Sequence, residues 1–199
     1  MVRTIAKDHD EKRRQILKNA AKVFADQGFD RASMSLLARE CGISKANIYH
    51  YYDSKDALLF DILDTYLKAL RDRICGIELD GMSAEEQLRA IVSETLQAYQ
   101  GADNEHRVQS TGIPALPPEQ QDILRGYQRD MVKHMSNAIQ AVAPDVFNGD
   151  KGKLYSTTMS VFGMLNWYFM WGEGGGTKAR EAYASLVADL TLGGIDNLG

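Results

Sequence analysis

A chain of 199 residues, 44% hydrophobic and 25% charged, can bury a real core and has room for one ordinary domain or two small ones. It has no run of 18 apolar residues, which excludes a membrane-spanning helix; no signal-peptide stretch opens it, and Cys41 and Cys75 are too few and too far apart for a disulfide framework or metal knuckle, so a cytoplasmic location is expected. The net charge of −4 argues against nucleic acid until it is divided: residues 1–55 hold 11 Lys/Arg against 7 Asp/Glu and the remainder 12 against 20, a basic head on an acidic body.

The elements read as all-α in chain order. All four prolines fall between 114 and 144, and apolar residues recur at helical spacing. A first helix is predicted from Asp10 to Gln27, with Ile16, Ala20, Val23 and Phe24 on one face and Gly28 as its stop. A short helix follows from Met34 to Cys41 with Ser33 as N-cap, then the turn Gly42-Ile43-Ser44, then a helix from Lys45 to Tyr51. A fourth helix starts near Ser54 and carries Leu58, Leu59, Ile62, Leu63, Tyr66 and Leu70 toward Cys75. The body has a capping-box-like Ser83-Ala84-Glu85-Glu86 opening a helix to Tyr99. Further helices are predicted from Asn104 to Ile113, from Pro117 to Val142, from Lys153 to Trp171 and from Lys178 to Leu192.

Residues 37–51 meet the demands of a helix-turn-helix. Two short helices crossing steeply need a small residue at their contact, and Ala38 supplies it. The turn needs a residue that tolerates positive φ four positions later, where Gly42 stands. Leu37, Cys41, Ile43 and Ile48 then face the core, and Ser44 caps the second helix, whose leading end enters the major groove in this motif. Lys45, Ala46, Asn47, Tyr49 and His50 are left for solvent or DNA. Lys and Asn can read base edges, Ala can meet a thymine methyl, and Tyr49, His50 and Tyr51 can donate to phosphates. Lys55, at the start of the fourth helix, suits an anion; a solvated lysine is the alternative, as a surface role is for His50. Arg3 and Lys7 are read either as a minor-groove arm or as a frayed terminus.

The stretch Gly28-Phe29-Asp30-Arg31-Ala32-Ser33 and the run from Leu37 to Leu58, above all Gly42 to Lys55, resemble the DNA-binding domain of the TetR family. The chain departs from that pattern at Ala32, where threonine is common, and at Tyr52, where phenylalanine is usual and whose hydroxyl needs a partner or solvent. The resemblance implies an N-terminal three-helix domain over residues 1–55 that binds double-stranded DNA. It also implies a helical effector-binding and dimerisation domain over 56–199. Ser44, Lys45, Ala46 and Asn47 would face bases or nearby backbone, and Tyr49, His50, Tyr51 and Lys55 would grip phosphates. The implied function is a homodimeric repressor on a palindromic operator, released by a small-molecule effector. Whether the chain represses or activates is left open by the sequence.

In the body, Tyr99, Arg107, Tyr127, Met131, Phe162, Trp167 and Tyr168 are candidates to bind the effector, although for each apolar one alone plain core packing is the favoured reading. Met164-Leu165-Asn166-Trp167, with Trp171 one turn on and Gly174-Gly175 after it, resembles regulators of this family that respond to acyl-CoA esters. Arg107, Arg125, Arg129 and Lys133 are the basic candidates for such a ligand's phosphates. Met159, Gly163, Met170, Trp171, Tyr183, Leu186 and Leu190, with Phe162, Trp167, Phe169, Val187 and Leu192, are expected in an isologous four-helix dimer interface. An enzyme is not expected. The glycine cluster 172–176 follows a helix rather than a strand and lacks a Gly-Lys-Ser/Thr ending, and the four histidines have no metal-ligand spacing. No cofactor and no metal are expected.

Overall fold

The computed structural model describes residues 2–172, 176–195 and 197–198, with side chains from residue 9 onward. Every described element is helical: α1 (Val2–Gln27), α2 (Met34–Glu40), α3 (Lys45–Tyr51), α4 (Lys55–Cys75), α5 (Ala84–Ala98), α6 (Asp103–Gly112), α7 (Pro118–Val142), α8 (Pro144–Phe147), α9 (Lys151–Trp167) and α10 (Thr177–Ile195), with 3-10 turns at Ile113–Ala115 and Tyr168–Met170. The chain packs as two compact units, Met1–Lys68 with Ala102–Arg125, and Ala69–Gly101 with Gly126–Gly199. These units do not coincide with a division at residue 55, because α6 packs with α1 and with the first half of α4.

In the first unit, the stripe of α1 made by Ile16, Ala20, Val23 and Phe24 is buried, together with Leu37, Ala38 and Ile48 and with Leu58, Leu59, Ile62 and Leu63 of α4. Cys41 and Ile43, expected to close this core, are only half-buried. Gly112 lets α6 approach closely: a Cβ there would stand 3.1 Å from Leu59 and 3.3 Å from Leu63. Beside it, the buried Tyr66 hydroxyl and His106 Nδ1 are hydrogen-bonded at 3.1 Å. α1 begins at Val2 rather than Asp10, since residues 2–27 contain neither glycine nor proline to stop it.

In the second unit, α10 packs along α5, and α9 lies against both. Leu88, Ile91, Val92 and Leu96 of α5 are buried, as are Ala184, Val187 and Ala188 of α10 and Val161, Phe162 and Leu165 of α9. The predicted capping box is present, with Glu86 N–H donating to Ser83 Oγ and Ser83 N–H to Glu86 Oε2 at 2.8 Å. α9 ends at Trp167, four residues earlier than expected. The chain tightens there into a 3-10 turn closed by Trp171 N–H on the Tyr168 carbonyl at 3.3 Å, and Gly172 N–H reaches the same carbonyl at 2.8 Å. Any side chain at Gly172 would strike the Tyr168 ring at 2.6 Å. The four-residue α8 was not expected at all; Pro144 opens it and it buries Phe147.

Candidate nucleic-acid interface

Two serines and a glycine frame the α2–α3 hairpin. Leu36 N–H donates to Ser33 Oγ at 3.2 Å, and Asn47 N–H to Ser44 Oγ at 3.1 Å, so both helices start on side-chain caps. Gly42 holds φ +67 between them, a conformation that side chains resist, and the reversal is closed by Ile43 N–H on the Ala38 carbonyl at 3.0 Å. Ile48 is 0% exposed and is the one wholly buried residue of α3. Around it Ser44, Lys45, Ala46, Tyr49 and His50 are exposed, while Asn47 and Tyr51 are half-buried. The helix therefore presents a short cationic and hydrogen-bonding surface from a single apolar pin.

Three contacts at its C-terminal end were not visible in the sequence. The His9 ring of α1 stacks on Tyr51 at 4.9 Å, and His50 meets the same ring edge-on at 5.8 Å. The buried Tyr52 donates its hydroxyl to Asp61 Oδ2 at 2.5 Å, which supplies the partner its departure from the family pattern requires. Burial and the neighbouring Asp61 carboxylate push the Tyr52 phenol well above its ordinary range, so it stays a neutral donor. Arg13 grips the same carboxylate in a fork, Nε on Oδ2 at 3.0 Å and a terminal nitrogen on Oδ1 at 2.5 Å.

Lys55, expected on a phosphate, points elsewhere. Its ammonium donates to the carbonyls of Phe29, Asp30 and Ala32 at 3.0, 3.3 and 3.5 Å and sits 4.3 Å from the centre of the Phe29 ring. The loop between α1 and α2 leaves those carbonyls without helical partners, and an ammonium's three protons match three acceptors. The side chains of Arg3 and Lys7 lie outside the described residues, as do Gly174 and Gly175.

In the body, Met131, Phe162 and Tyr168 are buried, and Tyr99 donates from the core to Asn166 Oδ1 at 2.7 Å. Burial pushes the Tyr99 phenol upward, out of reach of ionisation near neutrality. Tyr127 is half-buried with the Arg71 guanidinium 5.3 Å from its ring centre. Trp167 stands apart from this group, 61% exposed. Arg107 is exposed and belongs to the first unit, while Arg129 and Lys133 are exposed in the second. Of the residues expected at a dimer interface, Met159, Gly163, Met170, Trp171, Leu186 and Leu190 are exposed and Tyr183 is half-buried. Phe162 and Val187 are instead interior to their own unit. Tyr155, Met159, Gly163 and Trp167 follow one another at four-residue steps, a single exposed ridge along α9. Among the described residues no group of His, Cys, Asp and Glu is arranged to hold a metal, and no helix is long and apolar enough to cross a membrane.

Residues 16–62 match the model of bacterial regulatory proteins of the tetR family, and residues 81–195 the tetracyclin repressor-like C-terminal domain. A TetR-family transcriptional regulator from Bordetella parapertussis is 32% identical, with a TM-score of 0.84 over 90% of this chain and 93% of that one. The structure of AibR in complex with isovaleryl coenzyme A and operator DNA is similar in fold, with a TM-score of 0.75 and 22% identity over 91% of this chain and 98% of that one. An uncharacterised HTH-type transcriptional regulator of Bacillus subtilis, YuxN, is 38% identical over 79 residues, 40% of this chain and 27% of that protein. The matched segments span less than half the length of the first curated relatives. With its capped helix-turn-helix and both family models matched, the chain belongs to the TetR family of DNA-binding transcriptional regulators, which are not enzymes.

Proposed function

We propose that this TetR-type regulator is a ligand-responsive repressor that binds a palindromic operator as a homodimer and is released by a small-molecule effector. The observation that carries the DNA-reading part is α3 itself: its only wholly buried side chain is Ile48, and its capped leading end leaves Ser44, Lys45 and Ala46 exposed. In this reading residues 1–55 are the DNA-reading head and 56–199 the effector-binding and dimerisation body. Ser44, Lys45, Ala46 and Asn47 face base edges, and Tyr49, His50 and Tyr51 donate to the backbone. Lys55 serves the interface indirectly, by tying down the loop at Phe29–Ala32. As a regulator of transcription the protein acts in the cytoplasm, beside its DNA.

The dimer is supported by the apolar strip of α9 and α10. Met159, Gly163, Met170 and Trp171, with Tyr183, Leu186 and Leu190, form the proposed interface, and Trp167 joins them there rather than in the pocket. Leu186 is 50% and Leu190 57% exposed, and covering the part of each that remains in water is worth about 1 kcal/mol. A strip of this kind exceeds the scattered apolar residues of a monomer surface. Two copies pairing it face to face bury four helices in one isologous interface. Recognition helices related in this way meet half-sites about 34–36 Å apart, or multiples of that spacing.

Tyr99, Tyr127, Met131, Phe162 and Tyr168 line the proposed effector site within the second unit. An acyl- or aryl-CoA ester is the proposed effector class, supported by the Met164-Leu165-Asn166-Trp167 pattern and by a fold neighbour that binds isovaleryl coenzyme A. Release needs little energy: a tenfold loss of DNA affinity corresponds to about 1.4 kcal/mol of differential binding between two conformations. The test is fluorescence anisotropy on a duplex selected by the protein from a random pool, titrated with free coenzyme A and with acetyl-, isovaleryl-, phenylacetyl- and stearoyl-CoA. At least one ester should displace the duplex while free coenzyme A does not. Displacement by none, together with no thermal stabilisation, would overturn the effector class.

A further inference from the structure

α3 has seven residues, about two turns, and a helix so short holds no direction of its own. A helix with one wholly buried residue, here Ile48, resists rolling about its axis only weakly. A roll of about 20° at a side-chain radius of roughly 5–6 Å moves a side-chain tip by about 2 Å, which breaks a hydrogen bond to a base edge. A second fixed point away from Ile48 limits that roll, and the structure contains one in Tyr52, whose hydroxyl the usual phenylalanine would lack. Tyr52 is the C-cap of α3, its N–H on the Ile48 carbonyl at 2.9 Å, so its backbone belongs to the helix end. Its ring is buried and its hydroxyl ends on Asp61, two turns into α4. Asp61 is held in turn by Nε and one terminal nitrogen of Arg13 on α1, with the Thr65 hydroxyl donating at 3.4 Å. Three helices thus meet at one carboxylate within the first unit.

We infer that the Arg13–Asp61–Tyr52 clamp sets the rotation of α3, which makes Tyr52 a positioning residue for operator recognition. Removing the hydroxyl leaves the ring to pack, so the core is retained while the link from α3 to α4 is cut. The same carboxylate keeps Arg13, whose charge is only part-buried, so long-range attraction to DNA is unchanged. The consequence is selective: sequence-specific binding weakens, and attraction to any duplex does not. A residue that served only global stability would act in the opposite manner, lowering the melting temperature without changing the preference of the folded protein.

The inference rests on the reading of α3 as the recognition helix, and its test separates the two. Wild type, Tyr52→Phe, Asp61→Asn and the double variant are titrated, well below their melting temperatures, against a duplex selected from a random pool by wild type and against a scrambled duplex of equal composition. Tyr52→Phe is expected to lose about threefold to tenfold in affinity for the selected duplex with unchanged affinity for the scrambled one. In the Asp61→Asn background the same substitution should cost less than twofold further. Equal selected-to-scrambled ratios for Tyr52→Phe and wild type would overturn the clamp while leaving α3 as the reader. Failure of Asn47→Ala to alter the selected sequence in the same assay would overturn the reading of α3 and the clamp with it. Circular dichroism melts identify any variant whose loss comes from unfolding; if Tyr52→Phe melts below the assay temperature, Asp61→Asn alone decides by the same ratio.

Discussion

The helix-turn-helix hairpin and the last two described helices of the chain expose opposite chemistries. In α3 the large aliphatic residue, Ile48, is hidden, and Lys45, Ala46, Tyr49 and His50 face outward beside the capping Ser44. On α9 and α10 it is Tyr155, Met159, Trp167, Leu186 and Leu190 that face outward. A polar surface framed by caps and a glycine turn suits a polyanion that reads geometry and hydrogen bonds. An apolar ridge at four-residue steps suits another helix with the same ridge. What a helix leaves outside identifies its partner more directly than what it buries.

The largest effect should come from reversing the second chemistry. Leu186→Glu with Leu190→Glu would bring four carboxylates into a two-fold interface. We expect a monomer by sedimentation velocity, a wild-type circular dichroism spectrum, and operator affinity lower by about two orders of magnitude or more. A dimer that survives would break the contrast between the two surfaces. On the polar side, Asn47→Ala should relax base preference at one or two operator positions, by roughly 1–3 kcal/mol of discrimination, as read by selection from random duplexes.

Lys55 sharpens the comparison, since it lies beside the polar surface yet is turned onto carbonyls. Lys55→Ala should destabilise the folded chain by about 1–3 kcal/mol and leave the slope of log affinity against log salt unchanged. A slope smaller by about 1 would assign it to a phosphate instead.

The hairpin was legible because its backbone makes demands that few residues meet. Ser33, Gly42 and Ser44 each occupy a position where a cap or a positive φ is needed, and α3 begins and ends where they imply. The clamp was not legible, because Arg13, Tyr52 and Asp61 are separated by up to 48 residues and nothing in their spacing signals contact. The C-terminal aromatics were harder for another reason. Trp167, Tyr168, Phe169, Met170 and Trp171 form an unbroken apolar run, and periodicity cannot say that Tyr168 turns inward while Trp167 turns out. Nor does it say that the helix tightens into a 3-10 turn at Tyr168, whose ring fills the space a side chain at Gly172 would need. α8 is too short to show any period.

The smallest expected effect is a pH dependence within the first unit. Burial is the main cause that raises the Glu105 carboxyl above the ordinary glutamate value of 4.5, against smaller lowerings by a hydrogen bond from its own backbone N–H and by Lys18. An acid whose folded pKa exceeds its unfolded one binds its proton more tightly when folded. Its contribution is most favourable below pH 4.5 and is lost as pH rises through the folded value. Glu105→Gln should therefore raise the melting temperature at pH 7, and its advantage should shrink as the pH falls toward 4.5.

Hydroxyl-radical footprinting of the selected duplex, with the stoichiometry of the complex read by native mass spectrometry, tests the account most directly. Two chains per duplex and two protected patches related by a dyad, about one helical turn or a multiple of it apart, are the expected result. One chain per duplex, or a single protected patch, would contradict it.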